Sequence, residues 1–250
     1  MKRPISMIAV VVCLGAALTV PVTAAATPVS ASMNLRPFAS VGTTSVWQVS
    51  GDSWGTPLLP LNVGATATVI VPGPYSASAF GTGAATWGAG GNSGTVLFTD
   101  YGWNVATDGS GLSMSVNLDD HAAGDDWAYT FVADTNGTLV MNYDVTATGN
   151  TFGLQGWNIS WTGSGGGLGL LNASDPTTSG VFSRSVVAGQ TYTIALANNA
   201  NVSGSGSRVG SMNGTFDWGI QPLTVPEPAT IALFGIGLAG LGFSRRRKRS

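Results

Sequence analysis

Between residues 27 and 224 the chain never sustains the 3.6-residue apolar spacing with which a helix buries one face. It alternates apolar and polar residues one for one instead. Leu112, Met114, Val116 and Leu118 alternate with Ser113, Ser115 and Asn117. Trp127, Tyr129 and Phe131 follow the same rule, as do Leu139, Met141, Tyr143 and Val145, then Tyr192, Ile194 and Leu196, and finally Phe216, Trp218 and Ile220. Successive side chains of a strand point to opposite faces, so this period sets one face of each segment on a core and the other in water. Strands are expected at 45–51, 65–71, 95–101, 112–118, 127–133, 138–146, 154–161, 182–187, 191–197 and 214–220. Turn chemistry separates them. Asn136-Gly137 predicts a two-residue type I′ hairpin, Ala188-Gly189-Gln190 a second tight connection and Gly149-Asn150 a third. The expected fold class is all-β, an antiparallel β-sandwich or jelly-roll-like domain over 45–224, after an irregular Pro/Ser/Ala-rich lead-in over 27–44.

Composition limits the chemistry open to this domain. The only cysteine, Cys13, precedes it, which excludes disulfides, thiol nucleophiles, Cys-based zinc sites and iron–sulfur clusters. Residues 27–224 hold three cations (Arg36, Arg184 and Arg208), no lysine, and eleven carboxylates, all Asp, for a formal charge of −8. Without a basic cluster the domain has no means of holding a phosphate backbone, so no nucleic-acid partner is expected. All eight tryptophans lie here, an aromatic content that disordered chains do not carry.

The two ends read as addresses. Lys2 and Arg3 precede an apolar run from Ile5 to Val20, and Ala24-Ala25-Ala26 supplies small residues for cleavage. This predicts a secretory signal peptide over 1–26, cut after Ala26. At the other end Val225-Pro226-Glu227-Pro228 is stiff and non-helical, because each proline fixes its own φ and biases the residue before it. Residues 229–243 carry no charge. As a transmembrane helix they rise roughly 22 Å, short of a hydrocarbon core of about 30 Å. Gly235, Ala239 and Gly242 fall near one face of that helix, where small residues permit close contact with another. Arg245, Arg246, Arg247, Lys248 and Arg249 then form a block that resists translocation and stays cytoplasmic. A permanent anchor is one reading of this tail, although the span is short for it.

The ordered composite resembles the PEP-CTERM sorting signal of Gram-negative bacteria over residues 225–250. The resemblance implies passage through the secretion machinery and a transient stay in the inner membrane. Processing by an exosortase near Pro226-Glu227-Pro228 follows, then attachment at the cell surface or release beyond the outer envelope, often in cells that make exopolysaccharide. Trp127 to Ile220 broadly resembles domains found ahead of such tails, and that likeness brings no site with it.

Three patterns could carry chemistry. Asp119, Asp120, Asp125 and Asp126 surround His121 and Gly124 between two expected strands. Four carboxylates so close repel one another, and a hard cation such as Ca²⁺ would relieve them. The spacing is not that of an EF-hand, and a solvated acidic loop is the plainer reading. One imidazole is too few for a typical zinc site. Gly51-Asp52-Ser53-Trp54-Gly55 matches a nucleophile elbow, yet Pro57 and Pro60 forbid the helix that must follow the serine. A glycosidase pair would have to be assembled from Asp alone across strands, since the domain has no Glu. Finally, Trp54, Trp87 and Trp103 stand in Gly-rich surroundings and are candidates for exposed platforms that stack on sugar rings, with core packing as the alternative. Trp157, Ile159 and Trp161 share one strand face and are expected inside. No catalytic set emerges. The expected function is an exported, non-catalytic surface or matrix protein associated with exopolysaccharide or biofilm. A carbohydrate-binding module, with calcium as its one candidate cofactor, is the alternative, and a secreted hydrolase the weakest reading.

Overall fold

The computed structural model describes residues 26–54, 59–107, 114–117, 125–149, 156–169, 177–198, 201–204 and 206–223. Apart from a 3-10 turn at Ala89–Gly91, every element there is a strand, and every pairing is antiparallel. One six-stranded sheet runs in the order β12 (Leu168–Gly169), β11 (Trp157–Trp161), β14 (Thr191–Asn198), β9 (Trp127–Ala133), β1 (Ala26–Leu35) and β4 (Ser50–Trp54). A second has β13 (Thr177–Val186), β10 (Gly137–Gly149), β16 (Arg208–Pro222), β7 (Ser93–Ala106), β6 (Tyr75–Trp87) and β5 (Leu61–Val71). A four-stranded sheet comprises β15 (Asn201–Gly204), β8 (Met114–Asn117), β2 (Phe38–Val41) and β3 (Thr44–Trp47).

The alternation read in the sequence is what stacks the layers. From Leu61 to Ile70, β5 buries every second residue without exception. In β9 the residues turned inward are Trp127, Tyr129, Phe131 and Ala133. They meet the second sheet across a shared core, where the ring of Trp218 lies 4.7 Å from that of Tyr129 and 6.4 Å from that of Trp127. Trp157 of β11 packs likewise on Phe98 at 4.5 Å and Phe216 at 5.4 Å. Tilted and edge-on geometries of this kind suit the ring quadrupoles, each pair adding about 0.5–1.5 kcal/mol beyond the area it buries. Ala39 and Val41 of β2 and Val202 of β15 belong to the same core, and β2 lies against β5 and β6. The four-stranded sheet therefore turns one face inward and leaves the other outward.

Four expectations need correction. Residues 27–44 are not irregular: β1, β2 and the link between them bury Ala31, Met33, Leu35, Pro37, Ala39 and Val41 at strict alternation. Pairing with β9 and β4 on its two edges makes β1 a strand despite its Ser, Ala and Asn, because strand preference depends on context more than on intrinsic propensity. A register shift between Pro28 and Ser30 accommodates the proline, which has no N–H for the ladder. Residues 75–87 also form a strand, β6, where none was expected. Its residues are small because the facing rings are large: a Cβ on Gly81 would come within 2.3 Å of Tyr101, and one on Gly83 within 2.9 Å of Met33 and 3.3 Å of Phe98.

The hairpins expected at Asn136-Gly137 and at Ala188-Gly189-Gln190 do not form, because both connections cross between layers. They join β9 to β10 and β13 to β14. Gly137 lacks the positive φ of a type I′ turn and is glycine for another reason: a Cβ there would lie 2.5 Å from the Gln221 carbonyl oxygen. Gly189 does turn at φ 79°, and its N–H donates to the Ala133 carbonyl at 2.7 Å. Gly149 ends β10 at φ 105°, and Asn150 lies outside the described residues.

Of the expected signal peptide, only Ala26 is described. It opens β1 opposite Ala133, with its N–H donated to Asn92 Oδ1. The tail from residue 224 onward, with its expected transmembrane helix, lies outside the described residues, among which no helix is long and apolar enough to cross a membrane.

Candidate functional site

The acidic turn separates its two described carboxylates. Asp126 is 1% exposed and sits just ahead of β9. Its Oδ1 accepts the Tyr101 hydroxyl at 2.8 Å, and its Oδ2 accepts the Asn198 N–H. Its own carbonyl accepts the Asn34 N–H at 2.9 Å. One residue thereby ties β1, β7 and β14 together beneath the turn, and a carboxylate so engaged by protein donors acts as a structural anchor. Asp125 is half-buried, and that burial raises its carboxyl pKa above the ordinary 3.8. Asp119, Asp120 and His121 lie outside the described residues.

Beside the anchor stands Asn198, 0% exposed, whose Oδ1 and Nδ2 have no hydrogen-bond partner among the described residues. It occupies the inward face of β14 with Tyr192, Ile194 and Leu196, opposite Trp157. A hard cation takes six to eight oxygen ligands. Among the described residues no group of three or more His, Cys, Asp or Glu side chains is placed to hold a metal.

The three candidate tryptophans part company. Trp54 ends β4, an edge strand, opposite Ala31. Trp87 is half-buried at the end of β6, its ring tilted 53° against Tyr129 at 6.3 Å. Trp103 is 0% exposed and is no platform. The glycines around it make room for the indole: Gly210 lies directly opposite on β16, where a Cβ would fall 2.3 Å from Trp103 Cζ2. Trp157, Ile159 and Trp161 lie inside as expected, with Trp161 stacked on Tyr192 at 4.9 Å and 5°.

Among the described residues an exposed ring stands where sequence reasoning did not look. Trp47 ends β3 and is 70% exposed. Its spacing with Ser45 and Val49 is that of an ordinary alternating strand, and no local signal marks it. Among the described residues it stands on the outward face of the small sheet, the face that buried Ala39 and Val41 turn away from. Ser53 lies within β4 opposite Ser32 and is solvent-exposed. That is a strand position, where a nucleophile elbow needs a strand-to-helix turn.

No curated protein sequence matches the chain. Residues 224–248 match the family model of the PEP-CTERM protein-sorting motif, the segment that holds Pro226-Glu227-Pro228, the uncharged span and most of the basic block. The chain thus carries a PEP-CTERM protein-sorting motif at its C-terminal end, the mark of an exported protein whose processing partner is an exosortase.

Proposed function

We propose that the protein is a non-catalytic component of the bacterial surface or extracellular matrix, released from the inner membrane by exosortase processing and retained among exopolysaccharide. The match at residues 224–248 carries this reading. The domain's outer surface is in keeping with it. Cross-strand hydroxyl pairs line the outside of the second sheet: Thr82 with Thr99 at 2.8 Å, Thr148 with Ser211 at 2.8 Å and Thr68 with Ser78 at 3.1 Å. A hydroxyl-rich surface suits a hydrated glycan matrix. Fractionation of native cells with intact-mass measurement tests the reading. A chain shortened near Pro226 and recovered from the outer envelope or matrix supports it. A full-length chain held in the inner membrane refutes it in favour of a plain anchor.

A second reading, carbohydrate binding, is favoured by Trp47, a large ring left in solvent on a polar strand face. Calcium bound near Asp125 would accompany either role as a structural ion.

A further inference from the structure

Register determines what stands beside Trp47. It lies opposite Phe38, and Ser45 lies opposite Ser40. Directly opposed residues of an antiparallel pair share a face. These four therefore occupy the face that Ala39 and Val41, both buried, turn away from. Phe38 and Ser40 are half-buried and Ser45 is exposed. Across β2, Asn117 is opposite Phe38 and Ser115 opposite Ser40; on β15, Asn201 and Ser203 take the next positions. Two register rows thus cross four strands. One reads Trp47, Phe38, Asn117, Asn201, and the other Ser45, Ser40, Ser115, Ser203. Strands lie about 4.8 Å apart, so the rows extend roughly 14 Å.

Neither row contains a charged residue. Trp47 and half-buried Phe38 together form a small apolar patch flanked by polar residues. The chemistry of the rows selects its partner. The indole and the phenyl ring offer apolar faces to the C–H face of a sugar, and serine hydroxyls donate and accept with sugar hydroxyls. A polyanion is disfavoured twice over: the rows hold no cation to pair with a carboxylate or sulfate, and residues 27–224 carry a formal charge of −8. We propose that the outward face of the four-stranded sheet binds a neutral polysaccharide chain, with Trp47 stacking on a sugar ring and Phe38, Ser40 and Ser45 completing the platform. This rests on the carbohydrate-binding reading above and gives it a site.

The test uses the exported protein purified from its host, as wild type, Trp47→Ala and Trp47→Phe. Each is run by affinity electrophoresis in gels containing dextran, mannan or a neutral β-glucan, with alginate as the acidic counterpart, and titrated by tryptophan fluorescence. The wild type is retarded by at least one neutral polymer and not by alginate. Trp47→Ala weakens that binding at least about tenfold, Trp47→Phe less, with melting temperatures unchanged because the ring is outside the core. Three results overturn the platform: a wild type retarded by no neutral polymer, Trp47→Ala binding as wild type, or alginate bound as tightly. A dimer in sedimentation that Trp47→Ala dissociates also overturns it, by assigning the face to a second copy. Fractionation separates this failure from failure of the broader reading: protein still recovered from the matrix without glycan binding leaves the sorted matrix component standing.

Discussion

Replacing Gly210 by alanine tests how the core is built around Trp103. The new Cβ would stand 2.3 Å from Cζ2 and 2.6 Å from Cε2 of Trp103, and 2.6 Å from the carbonyl oxygen of Thr148. Unstrained carbon contacts lie at about 3.5–4.0 Å, so the indole must retreat by more than about 1 Å. It has nowhere to go, being fully buried, and the Thr148 oxygen belongs to the backbone of β10, hydrogen-bonded to β16. Overpacking costs about 1–3 kcal/mol, and the upper end applies where neither neighbour is a flexible chain end. For a domain of this size about 3 kcal/mol lowers Tm by roughly 6–12 °C. Gly219 on the same strand is the control. A Cβ there meets nothing nearer than Ser93 Cβ at 3.7 Å, and neither glycine has positive φ, so Gly219→Ala leaves Tm unchanged or slightly raised. Thermal denaturation followed by circular dichroism measures both. Adding Trp103→Phe to Gly210→Ala shrinks the offending ring, so the double variant falls short of additivity by at least about 1 kcal/mol. Equal melting of Gly210→Ala and Gly219→Ala, or strict additivity in the pair, would refute the packing argument.

Arg184 donates to the carbonyls of Gly165 at 2.9 Å and Gly166 at 2.8 and 2.9 Å, with its guanidinium 4.3 Å above the Phe182 ring. Arg184→Ala should cost about 1 kcal/mol and speed proteolysis around residues 163–167, and lysine should not rescue it, since it lacks the guanidinium fork; unchanged cleavage would contradict this. Asn198→Leu should raise stability by about 1–3 kcal/mol in urea unfolding if its amide is unpartnered, whereas a loss would reveal a buried water or ion bound there. Burial raises the Asp125 pKa above 3.8, so the folded state binds that proton more tightly than the unfolded chain. Stability is therefore fully present below 3.8 and falls as pH rises through the folded value, and Asp125→Asn flattens this part of the profile. If Asp125 serves a calcium site, millimolar Ca²⁺ raises the wild-type Tm and not that of Asp125→Asn; no shift in the wild type removes calcium from the account. Edman or mass analysis tests the expected cut after Ala26: a mature chain starting at Thr27 agrees with it, and one that keeps Ala26 retains its pairing opposite Ala133.

Strands with large apolar residues on one face were legible in advance. Trp127–Ala133 and Thr191–Asn198 announce themselves because each aromatic or branched side chain is flanked by small or polar ones. Strands β1 and β6 were hidden because alanine, serine and glycine carry the alternation too faintly to stand out. Their small size is itself a product of packing, as Gly81 and Gly83 make space for Tyr101, Phe98 and Met33. Glycine chemistry foretold a turn at Gly189 but not where it led. A tight connection between strands reads the same locally whether they pair in one sheet or cross to the other.

The candidate site was the least legible part. Trp103 and Trp47 look alike in the chain, an indole on an alternating segment, yet one is fully buried in the core and the other stands in solvent. Asp125 and Asp126 are adjacent in one acidic run, yet one is half-buried and the other anchors three strands.

By itself the sequence determined the all-β class, the absence of cysteine and basic chemistry in the domain, and the C-terminal address. These depend on period, composition and local order, which a chain carries along its length. Which indole is covered, which carboxylate turns inward and which strands pair were decided only by the tertiary structure. Burial is a property of the opposing layer, and that layer is supplied by residues far away in the chain.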